Sequence, residues 1–77
     1  MDRKAANSVI TAFISRIEKE LADAAGIARG ARVCAKGGNI PKAIKIVMDI
    51  EDPAYRADRM LKAILLIRHE LLGDGPD

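Results

Sequence analysis

The chain holds one histidine, His69, and one cysteine, Cys34, and any nucleophilic, acid–base or metal chemistry would have to be built around them or around its carboxylates. His69-Glu70 has no second histidine four residues away, so the zinc-protease arrangement is missing. Near a helix C-terminus a histidine interacts favourably with the dipole, which gives His69 a surface or capping role. Cys34 lies among Ala31, Val33 and Ala35 and reads as a small buried residue, although Arg32 and Lys36 leave open an electropositive setting for a reactive thiol. Asp49, Glu51 and Asp52 cluster, but turn carboxylates are usually solvated and Asp52-Pro53 suits a helix cap. Gly37-Gly38-Asn39 lacks the spaced glycines and the Lys-Ser/Thr pair of a phosphate loop. No catalytic, cofactor-binding or metal-binding residue is assigned, and the chain reads as non-enzymatic.

Charge points to a surface rather than a reaction centre. Between Asp23 and Asp49 there is no acidic residue, while Arg29, Arg32, Lys36, Lys42 and Lys45 all fall in that interval. Arg29, Arg32 and Lys36 share a helical face, and Lys42 and Lys45 lie one turn apart, so a basic face is expected on a chain of net charge only +2. Charge runs are usually solvated faces. Beyond that, such a face suits an acidic protein partner, with nucleic acid as the alternative because phosphate contacts need lysine and arginine. Only Phe13 and Tyr55 are aromatic, so there is no stacking platform for bases.

The elements that must carry these residues are helical. In the first segment Ala6, Val9, Ile10, Phe13, Ile14, Ile17, Leu21 and Ala24 recur at threes and fours, predicting an amphipathic helix over about 2–25, with Asp2 or Asn7-Ser8 as cap and Gly26 as its end. A short small-residue helix follows at 27–36, ended by Gly37-Gly38, which supplies left-handed backbone. Pro41 opens a third helix, 41–50, after Asn39 or Ile40, and Asp52-Pro53 opens a fourth, 53–72, leaving 73–77 as a flexible tail. In the fourth, Ala63-Ile64-Leu65-Leu66-Ile67 with Leu61, Leu71 and Leu72 wraps more than one side. A helix packed on one side needs a stripe, so part of this segment is expected to be an interface.

Residues 27 to 65 resemble tetratricopeptide-like helical repeats. The likeness rests on Ala31 and Ala35, the Gly38-Asn39 turn, Ala43-Ile44, and Ile50-Glu51-Asp52-Pro53-Ala54-Tyr55-Arg56-Ala57, about one and a half repeats. It implies protein or peptide binding and brings no catalytic residues. With 77 residues there is room for one domain, near the lower size limit for independent folding. One cysteine excludes an internal disulfide, and no apolar run is long enough to span a bilayer, so a cytoplasmic, membrane-free protein without a signal peptide is expected. The expectation is a compact all-α four-helix domain with a tetratricopeptide-like hairpin, acting without cofactors as an interaction module, adaptor or inhibitor and forming a homodimer. Phe13, Leu65, Leu66 and Leu72 would supply its apolar interface, and the five cations would steer an acidic partner.

Overall fold

The computed structural model describes residues 2–72, with side chains to residue 70. Asp2 caps the first helix: its Oδ1 accepts from the Ala5 amide at 2.9 Å, and α1 runs from Arg3 to Lys36. The break expected at Gly26 does not occur. Gly26 and Gly30 both lie on exposed parts of α1, and a methyl group at either would meet no atom within 4 Å. Each glycine costs about 1 kcal/mol of helix propensity, too little to interrupt a helix that keeps packing through Ile27, Ala31 and Cys34.

The chain reverses where glycine permits it. Gly38 has φ +90°, in the left-handed region. Its amide donates to the Ala35 carbonyl and the Asn39 amide donates to the Cys34 carbonyl, both at 3.0 Å, the paired bonds of a Schellman motif. Asn39 then starts the return: its Oδ1 accepts from the Lys42 amide at 3.2 Å, and Pro41 is the second residue of α2, Ile40–Val47. Three residues thus end one helix and cap the next.

The restart expected at Asp52-Pro53 is not a restart. α2 passes into a 3₁₀ turn, Met48–Ile50, and directly into α3, Glu51–Leu72, with right-handed helical backbone at Val47, Met48 and Glu51. Pro53 has no amide to donate to the Asp49 carbonyl, and its ring crowds that carbonyl. The backbone answers by tightening for one turn just before the proline. Asp52 therefore lies inside a continuous arm and does not cap a new helix.

Two helical arms result, antiparallel and joined by Gly37-Gly38-Asn39. The molecule measures 53 × 20 × 18 Å, so the compact four-helix domain is replaced by a long hairpin. The expected tail at 73–77 lies outside the described residues.

Packing follows one spacing rule. The buried and half-buried residues Ala6, Ile10, Phe13, Ile17, Glu20, Ala24, Ile27, Ala31 and Cys34 of α1 recur in alternating threes and fours. Ala43, Ile46, Ile50, Pro53, Ala57, Met60, Ile64 and Ile67 do the same on the returning arm. This is the seam of a two-stranded coiled coil. Yet the apolar residues it buries most deeply are small, Ala6, Ala31, Ala43 and Ala57, and among the described residues no large side chain is fully buried. Two helices alone can cover only one stripe of each other.

Candidate functional site

The seam has two flanks of opposite chemistry. Residues that immediately precede seam positions, such as Arg16 before Ile17 and Arg56 before Ala57, lie on one flank. There Arg56 donates from Nε to Glu20 Oε2 at 2.8 Å and Arg16 reaches the same oxygen at 3.4 Å. Glu20 is 3% exposed and, among the described residues, is the one charged residue buried in the seam. The hydrogen bond from Arg56 holds its carboxyl below the usual glutamate value, against an opposing push from desolvation, with Arg16 helping. Ala12, Phe13, Arg16, Arg56, Arg59 and Met60 line a shallow groove of about 480 Å³ around this group, which confirms that both arms present these positions on the same side. Beyond it, Arg59 donates to the Tyr55 hydroxyl at 2.9 Å and lies 5.7 Å from the ring centre.

The other flank is apolar. Residues that immediately follow alternate seam positions fall there: Ile14, Leu21, Ala28 and Ala35 on α1, and Ile40, Val47, Ala54 and Leu61 on the returning arm, with Ile44 and Leu65 beside them. Among the described residues, seven of the eleven large apolar side chains left exposed belong to this flank, namely Ile14, Leu21, Ile40, Ile44, Val47, Leu61 and Leu65. Scattered exposed apolar residues need no explanation, but this is a continuous band on one side. Charges lie along its borders, at Glu18, Arg32, Glu51 and Asp58, and Arg68 ends the row of Ile40, Val47, Ala54 and Leu61.

The residues anticipated from sequence are distributed unevenly over these surfaces. Arg29, Arg32, Lys36, Lys42 and Lys45 are all exposed and gather at the turn end, where none forms an ion pair within 4.0 Å among the described residues. They do not form one face: Arg29 and Lys36 lie opposite the α1 seam, Arg32 borders the apolar flank, and Lys42 and Lys45 lie on the charged flank. Leu65 belongs to the apolar band. Leu66, one residue on and about 100° further round the helix, lies instead with Tyr55, Arg59 and Lys62. Phe13 is half-buried in the seam, and the Leu72 side chain lies outside the described residues. Cys34 is half-buried beside the turn; His69, Asp49, Glu51 and Asp52 are exposed.

Sequence reasoning missed Glu20 and most of the apolar flank. A signal for both existed, because the alternation of threes and fours runs unbroken from Ala6 to Cys34 only if Glu20 is counted in it. Among the described residues no group of three or more His, Cys, Asp and Glu side chains could hold a metal ion, and no helix is long and apolar enough to cross a membrane. Compared with protein-family models, curated proteins and solved structures, the chain matches none.

Proposed function

We propose that this chain is a non-enzymatic protein-interaction module that works by presenting the apolar flank of its hairpin to another helical surface. One observation carries the reading: among the described residues the hairpin completely buries no large side chain, yet it arrays most of the exposed ones along one side. Burying a leucine or isoleucine contributes about 1.5–3 kcal/mol, so covering this band would add appreciably to what the seam supplies. The resemblance of residues 27–65 to tetratricopeptide-like repeats favours protein binding too. An adaptor or inhibitor that occupies another protein's surface fits the same chemistry, and a cytoplasmic setting would suit the free thiol of Cys34.

A second reading, nucleic-acid binding, is favoured by the five cations at the turn end. Mixing the protein with duplex and single-stranded nucleic acid at low salt decides it. Binding weakened by Arg29→Ala with Lys36→Ala and untouched by Leu21→Glu would replace the first reading with the second. Retention of a protein partner that is lost in Leu21→Glu and kept in Lys36→Ala is the outcome expected.

A further inference from the structure

We infer that the occupant of the apolar flank is a second copy of this chain, so that two hairpins stack face to face into a four-helix bundle. The inference rests on the interaction reading above and names its partner.

Three features of the flank select this occupant. The first is shape. The band is two helices wide and runs along a molecule 53 Å long and about 20 Å across, and a partner must supply an apolar surface of the same length and width. Another copy supplies one. The second is area. At 1.5 Å per residue the rows from Ile14 to Ala35 and from Ile40 to Leu61 are about 32 Å long, and across a molecule about 20 Å wide they supply the larger part of the roughly 800 Å² per partner that a stable protein interface buries. The third is the distribution of side-chain size. On α1 the band runs from large to small, Ile14 and Leu21 and then Ala28 and Ala35, whereas on the returning arm the turn end carries the large Ile40 and Val47. Either two-fold stacking of two such faces therefore sets a large side chain against an alanine in most layers. That alternation lets layers interdigitate.

The charge pattern agrees. Cations that would draw an acidic or phosphate-bearing partner lie outside the band or at its border, and every position in the two central rows from Ile14 to Ala35 and from Ile40 to Leu61 is uncharged. Small domains that cannot complete a core often gain one by association.

Photo-crosslinking tests the inference directly. A photoreactive amino acid is placed at Leu21, in the band, or at Leu66, outside it, and each protein is irradiated both purified and in the cells that express it. The result expected is an adduct of twice the chain mass from position 21, purified and in cells, with little from position 66. An adduct only in cells and of another mass would overturn the second copy and leave the interaction reading standing. No adduct in either setting would overturn both, and equal self-adducts from both positions would overturn this choice of face. Sedimentation gives the second measurement on the unmodified chain: a mass of two chains, with Leu21→Glu and Leu61→Glu each weakening association at least tenfold while Leu66→Glu leaves it unchanged. A helical monomer at every concentration would refute the pairing.

Discussion

Along the charged flank Arg16 and Arg56 turn inward to Glu20, whereas along the apolar flank Leu21 and Leu61 keep about half of their surface exposed, at 53% and 47%. Both flanks come from the same periodicity, one residue before or after a seam position. The difference lies in what the chain does for itself: around Glu20 the charged groups find their partners within the hairpin, and the apolar ones of the other flank do not. A hydrogen bond is satisfied by one well-placed donor, but apolar area needs another surface to cover it. The Glu20 cluster of the charged flank is thus self-sufficient, and the apolar flank is unfinished.

The largest effect is expected where the charged flank loses its inward donor. Arg56→Met leaves Glu20 with only the longer contact to Arg16, and the largest fall in melting temperature among single substitutions is expected there by thermal unfolding. Glu20→Leu together with Arg56→Met should recover most of it, since replacing a buried ion pair by apolar groups is often neutral while breaking one is not. If the double variant is no more stable than the single one, the flank does not work as a pair.

Next comes charge placed on the unfinished flank. Leu61→Lys should cost about 1.5–3 kcal/mol of stability measured at high protein concentration, and much less at low concentration where no second surface covers the band. A concentration-independent loss would mean that Leu61 matters only within one chain. Gly38→Ala acts on both flanks alike: an alanine at φ +90° should cost about 1 kcal/mol, or roughly 4–8 °C in melting temperature, without changing assembly.

Acidity separates the flanks again. Because the folded carboxyl of Glu20 lies below its unfolded value, its contribution is fully present above the ordinary glutamate range, about 4.3, and is lost as pH falls through the lower folded value. Acid titration of the wild type should show this loss, and Glu20→Gln should flatten it. The smallest effect is a gain. Gly26→Ala and Gly30→Ala should each stabilise by about 0.5–1 kcal/mol, because no neighbour stands in the way of the methyl group. A loss at either would show that the charged side of α1 is covered after all.

The elements at the ends of helices were legible because single residues decide them. Asp2, Gly38 and Asn39 each do what their side chain, or its absence, dictates. Gly26 and Pro53 were misleading for the complementary reason: each weakens a helix locally, and whether the helix continues depends on packing that spans many residues. Listing apolar residues alone also hid the seam, since a charged residue occupies its middle and alanines form much of the rest. The band on the apolar flank was visible only in part, at Leu65, because its members are distinguished from seam residues by one step in register.

The Gly38-Asn39 turn also gives the hairpin a direction in time. Contacts between the arms close short loops beside Cys34 and Ala43 and progressively longer ones toward Ala6 and Ile67, so the ordering cost rises away from the turn. Closure should proceed like a zipper from that end. Glu20 stands partway along as a checkpoint: arms that started one helical turn out of step would bring the carboxylate into the seam without Arg56 beside it, and closure would stall there until the register was corrected.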